Sequence, residues 1–269
     1  MATSSARGYD SLGSFIDDLQ ATGTYTFSLA GLRTALAVSE IAATNAVRRL
    51  KERGRLVSPR RGFYVIVPME YRASGSPPPS WFIDDLMRFL GQPYYVGLLS
   101  AALLHGASHQ QPMVFQVVTD RPTRSATAGR SRIEYHVSRQ VNGSDVMEMQ
   151  TETGSMRVSA PETTAFDVVR YPSACGGWSN VATVLAELAE RLDPQRLAAV
   201  AGRMKTPEVQ RLGYLLDQAG HPRLADPLLR TLATRRYRPV RLSAESSPPV
   251  GLPEGPWRVI DNVHVELDS

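Results

Sequence analysis

Between residues 26 and 68 the chain sets two short helical patterns, a three-residue turn and two strand patterns end to end, an order that few folds accept. Ser28 reads as the N-cap of a helix over Leu29–Leu36, with Leu32 and Leu36 on one face. Ala37, Val38 and Ser39 form the turn, and Ser39 can cap a second helix running to about Arg53. On that helix Ala43, Ala46, Val47 and Leu50 share an apolar stripe. The opposite face then carries Ile41, Thr44, Asn45 and Arg48, flanked by Arg49 and Lys51. Gly54 suits the position just past a helix end. Residues 56–58 and 63–67 read as strands joined by Pro59, Arg60, Arg61 and Gly62, a hairpin with a basic tip.

Helix, turn, helix and hairpin in this order predict a winged helix-turn-helix, which lays its second helix in the DNA major groove and touches phosphates with the hairpin. An arginine can read guanine and an asparagine adenine by paired hydrogen bonds, and an apolar group can meet a thymine methyl. The candidate base readers are therefore Ile41, Thr44, Asn45 and Arg48. Ser39, Arg49, Lys51, Arg53, Arg55, Arg60 and Arg61 are candidate phosphate contacts, which set affinity rather than sequence preference. Charge agrees with this placement. Residues 1–72 hold ten Lys or Arg against six Asp or Glu, while residues 73–269 hold twenty of each, so the net +4 lies in the first part.

The chain of 269 residues is long enough for a small and a large domain. Residues 73–80, with three consecutive prolines, read as a linker between a DNA-binding domain over 1–72 and a mixed α/β domain over 81–269, with a sub-boundary near 172–178. The fold class expected is α+β. In the large part, helices are predicted over 81–90, 94–105, 161–171, 180–191, 194–202, 207–219 and 222–234. Strands are predicted over 114–119, 132–137, 146–151, 156–158, 240–242 and 258–266. The longest apolar stretch, 94–104, is too short to span a bilayer, and the opening MATSSARGYD lacks the apolar run of a secretory signal, so a cytoplasmic protein is expected. One cysteine, Cys175, excludes an internal disulfide and a thiolate zinc cluster.

No constellation for catalysis emerges, and neither a cofactor nor a metal is expected. His105 and His109 have the spacing of two helical metal ligands, but Gly106 interrupts them and no carboxylate is near in sequence. Asp145, Glu148 and Glu152 could in principle ligate Mg²⁺ in a nuclease, yet Lys205, the lysine such a site often needs, lies far along the chain. Asp120 and Arg121 read as a strand-end turn.

Taken together, the sequence resembles the AbiEi family, the antitoxin half of AbiE-type abortive-infection systems. The resemblance runs through Asn45-Ala-Val-Arg-Arg-Leu50, Arg53-Gly-Arg-Leu56, Arg61-Gly-Phe-Tyr64, the segment from Tyr94 to Gly106, Val117-Val-Thr119 and the segment from Pro161 to Asp167. It continues through Arg211-Leu-Gly-Tyr-Leu-Leu216 and Trp257-Arg-Val-Ile-Asp-Asn262. It implies a non-enzymatic protein that represses its own operon by binding inverted repeats in the promoter. It also implies a role in counteracting an AbiEii-like, nucleotidyltransferase-type toxin without a stable complex, in phage defence. A stand-alone winged-helix regulator with a ligand- or protein-sensing large domain is the alternative.

Overall fold

Local capping explains where the first helices begin. In the computed structural model, which describes residues 11–107, 113–243, 253 and 255–263, α1 (Leu12–Ala21) opens on a capping box. Ser14 N donates to Ser11 Oγ at 3.2 Å, and Ser11 N donates to Ser14 Oγ at 3.3 Å. β1 (Thr26–Ser28) leads directly into α2 (Leu29–Leu36), capped by Ser28, whose Oγ accepts from Gly31 N at 3.0 Å. The turn into α3 (Glu40–Glu52) is made by Ala37 in the left-handed region, φ 51°. A hairpin of β2 (Leu56–Arg60) and β3 (Phe63–Ile66) completes a three-stranded antiparallel sheet of order β1-β3-β2. The register shifts between Val57 and Arg60, and Ser58 Oγ spans the irregularity by donating to Arg60 O at 2.7 Å and Phe63 O at 2.9 Å.

One core serves these elements. Leu12, Phe15 and Ile16 of α1, Phe27, Leu32, Ala43, Val47, Leu56, Tyr64 and Ile66 bury together, with Phe15 and Phe27 edge to face at 5.5 Å. Each fully buried aliphatic side chain, Ile16 and Leu32 among them, contributes roughly 1.5–3 kcal/mol relative to exposure. The stripe read from the sequence is the buried one: Ala43 and Val47 are buried, Ala46 and Leu50 half-buried.

Contacts divide the chain into two compact units, Met1–Tyr94 with Met113–Val141 and Glu148–Arg157, and Tyr95–Pro112 with Asn142–Met147 and Val158–Ser269. These boundaries differ from a cut at residues 73–80, and the reason is packing. Ser76 and Pro77 are buried, and Trp81 packs edge-on against both Tyr25 at 5.0 Å and Tyr71 at 5.3 Å. Thr26 Oγ1 donates to Asp85 Oδ2 at 2.6 Å, fastening α4 (Ile83–Leu90) to β1. The prolines therefore form a folded strap within the first unit. Residues 94–96, expected in a helix, are instead the strand β4 (Tyr94–Val96), because this buried aromatic and β-branched run favours a sheet; α5 (Leu98–Leu104) starts after Gly97. In the first unit β5 (Phe115–Thr119) and β7 (Ser131–Val137) are parallel, and the short β6 (Ala126–Ala128) pairs antiparallel with β7. β8 (Val146–Thr151) and β9 (Gly154–Ser159) follow, and Val158 of β9 pairs in parallel with Val96 of β4.

The second unit is mainly helical: α6 (Pro161–Arg170), α7 (Trp178–Leu188), α8 (Pro194–Arg203), α9 (Thr206–Gln218) and α10 (Pro222–Ala233). Pro161 and Pro194 sit in first turns, where a missing N–H costs no helical bond. β10 (Val240–Arg241) and β11 (Val259–Ile260) pair in parallel and dock the tail on α9. The expected strand residues 264–266 lie outside the described residues. The docking depends on Gly213, where an added β-carbon would lie 2.0 Å from the Trp257 ring. Around it Gln210 Nε2 donates to Trp257 O at 2.8 Å, Trp257 Nε1 donates to Asp217 Oδ2 at 3.0 Å and Tyr214 Oη donates to Asp261 Oδ2 at 3.1 Å. Gly213→Ala is expected to lower the unfolding free energy by about 2–3 kcal/mol, since both the helix backbone and the buried indole lack room to yield. A urea titration reading tryptophan fluorescence checks this; an unchanged midpoint would show that Trp257 does not pack on α9.

Candidate nucleic-acid interface

α3 turns its polar sequence face outward. Ser39 Oγ accepts from Ala42 N at 3.2 Å, which fixes the helix start and with it the phase of every later side chain. Ile41 is 76% exposed, and Thr44, Asn45 and Arg48 are exposed beside it on the side opposite buried Ala43 and Val47. Asn45 has no side-chain hydrogen bond among the described residues, and Arg48 makes a loose ion pair with Glu52 at 3.7 Å. Glu40, at the start of the helix beside Ile41, is held by Arg33 at 3.1 Å. Arg49 and Lys51 lie exposed in the last turn, where the helix's partial negative charge favours cations.

The residues expected on phosphates fall into two groups. Arg49, Lys51, Arg53 and Arg61 are exposed, whereas Arg55 is half-buried and lies 3.8 Å from Asp17. The Ser39 hydroxyl is engaged in capping. Arg60 is committed within the first unit: Nη1 donates to Ser125 O at 3.1 Å, Nη2 donates to Arg124 O, and the guanidinium lies 5.6 Å over the Tyr135 ring. Those attachments tether one donor on each Nη inside the protein. They are long-range in sequence, and no local pattern signals them.

A second polar cluster, missed in the sequence, lies inside the second unit. Arg170 grips Glu208 through two bonds, Nε to Oε1 at 3.0 Å and Nη2 to Oε2 at 3.1 Å, and Lys205 N also donates to Oε2 at 3.1 Å. Arg170 Nη1 lies 3.7 Å from Asp167 Oδ1, onto which Tyr95 Oη donates at 3.4 Å, while buried Asp167 Oδ2 has no hydrogen-bond partner among the described residues. Burial pushes Asp167 up to about 7, with Arg170 opposing and Glu208 adding to the rise. Burial, then the Asp167 charge, pushes the Cys175 thiol up to about 12, which keeps it a poor nucleophile.

Several of the other sequence candidates are engaged in structural contacts. His105 Nε2 lies 2.8 Å from Ser159 O, and His109 falls outside the described residues. Asp145 pairs with Arg203 at 2.7 Å, Glu148 accepts from Ser155 Oγ, and Glu152 is exposed. Asp120 lies 3.9 Å from Arg121. Among the described residues no group of three or more His, Cys, Asp or Glu could hold a metal ion, and no helix is long and apolar enough to cross a membrane.

Comparison with known proteins adds two findings. Residues 95–218 match the AbiEi antitoxin C-terminal domain family. The crystal structure of the RV2827C protein from Mycobacterium tuberculosis is similar over 96% of this chain and 94% of that one, with a TM-score of 0.68 at 18% identity, a likeness of fold alone. No curated protein matches the chain.

Proposed function

We propose that this chain, an AbiEi-family antitoxin by its residues 95–218, is a DNA-binding autorepressor of a toxin–antitoxin operon. The AbiEi domain supports the antitoxin role. The observation that carries the DNA-binding reading is the outer face of α3, where Ile41, Thr44, Asn45 and Arg48 stand exposed on a capped, well-packed helix. A 76% exposed isoleucine beside an uncommitted asparagine has no role in the protein's own packing, and both suit base edges in a major groove. In this reading the elements over residues 12–66 act as a winged helix-turn-helix, α3 entering the groove while Arg49, Lys51, Arg53 and Arg61 meet phosphates. Ser39 serves as a cap whose helix end can face a phosphate, and Arg55 as a half-buried support to that basic edge.

The proposed DNA site is a set of inverted repeats in the chain's own promoter, and the toxin opposed is a nucleotidyltransferase-type protein that forms no stable complex with it. No enzymatic step is assigned to it. The test is a fluorescence-anisotropy titration of the full-length protein against its upstream promoter and a scrambled duplex at several salt concentrations. Promoter binding at least about a thousandfold tighter than scramble is expected. Equal, strongly salt-dependent binding to both would remove the repressor reading.

A further inference from the structure

The balance of twenty bases and twenty acids beyond residue 72 conceals a local excess. Residues 121–132 contain Arg121, Arg124, Arg130 and Arg132 and no acid. This run forms the loop after β5, the strand β6 and the turn into β7, and it belongs to the same compact unit as α3 and the β2–β3 hairpin. Arg60 ties the two basic segments together through its bonds to the Arg124 and Ser125 carbonyls.

We propose that the 121–130 segment is a second phosphate-gripping element, in which Arg124 and Arg130 extend the basic edge begun by Arg61 along duplex DNA. The inference rests on the DNA-binding reading and adds to it a contact surface outside the winged helix. Three observations carry it. Arg61, Arg124 and Arg130 are exposed and have no side-chain hydrogen bond or ion pair among the described residues. Their neighbours are treated differently: Arg121 donates to Gly91 O at 2.9 Å and Arg132 pairs with Glu134 at 2.9 Å. The segment is also held in place before any ligand arrives. Arg130 N donates to Ser74 O at 2.8 Å, and Gly129 sits so close to the strap that a β-carbon would lie 2.3 Å from Ser74 O. A rigid backbone bearing uncompensated guanidinium groups loses little entropy on meeting a phosphate, and the fork geometry of arginine favours that partner. Arg60 is then a positioning residue that sets the hairpin against the second element.

The experiment compares wild type, Arg124→Ala, Arg130→Ala and Arg124→Lys by anisotropy on promoter and scrambled duplexes between 0.05 and 0.3 M salt, with thermal melts of each protein alongside. Each alanine variant is expected to lower the slope of log affinity against log salt by about 0.9 and to weaken both duplexes about fivefold near 0.15 M salt, leaving their ratio and the melting temperature unchanged. Arg124→Lys should restore most of the slope. Unchanged slopes in both alanine variants, with promoter preference intact, would overturn this proposal while the α3 reading stands. A loss of promoter preference in Arg124→Ala would also overturn it, because the contact would then be to bases or to the placement of α3. Wild type without salt-dependent binding to either duplex would overturn both.

Discussion

Replacing Asn45 and Arg48 together by alanine is expected to reduce the preference for promoter over scrambled duplex by about a hundred- to a thousandfold. Each paired hydrogen bond from such a side chain to a base edge discriminates by about 1–3 kcal/mol, and two contacts of about 1.4–2 kcal/mol each give that range. The fold should not suffer. Both side chains are exposed, Asn45 makes no internal hydrogen bond among the described residues, and the Arg48–Glu52 pair at 3.7 Å is a surface pair of small worth. Alanine also favours helix more than asparagine does. Binding to the scramble should fall only by the part of Arg48's charge felt by phosphates. An unchanged promoter-to-scramble ratio in the double variant, with a normal melt, would show that sequence is read elsewhere.

What could be read in the sequence was what is decided locally. Ser28 and Ser39 are both the caps expected, because capping depends on a side chain and a backbone N–H three residues away. The apolar stripe of α3 follows from the helical period alone. Elements fixed by distant partners were not legible. β1 and β6 are three residues long and exist because β3 and β7 pair with them. Tyr94, Tyr95 and Val96 continue a helical-looking apolar run, and only the sheet makes them a strand. The proline-rich strap reads as a linker until Trp81 is seen between Tyr25 and Tyr71. The same rule separates the site residues. Local phase sets which of them face outward on α3, while the commitment of Arg60 depends on residues more than sixty positions away.

The largest expected effect in the second unit concerns the proton on Asp167. Its carboxyl is buried, with one oxygen unpartnered among the described residues, and its pKa rises from 3.8 to about 7. The groups facing it are Tyr95, Arg170 of its own helix, Tyr171, Glu208 of α9 and Cys175, of which Arg170, and then the hydrogen bond from Tyr95, favour ionisation without offsetting the cost of burial. Between those two pKa values the folded unit holds a proton that the unfolded chain releases. The stability so gained is complete below about pH 4 and is lost as pH rises through 7, up to about 4 kcal/mol in all, at about 1.4 kcal/mol per unit. Asp167→Asn keeps an acceptor for Tyr95 without a charge to bury, and Arg170 retains its two bonds to Glu208. The variant is expected to match wild type near pH 4 and to exceed it by a few kcal/mol at pH 8, removing most of the pH dependence. Hydrogen exchange at the amides of α6 and α9, followed from pH 4 to 8 and corrected for intrinsic rates, reads this in the second unit directly. Parallel pH profiles for the two proteins would mean that Asp167 is already ionised in the folded unit, with Arg170 outweighing the cost of burial.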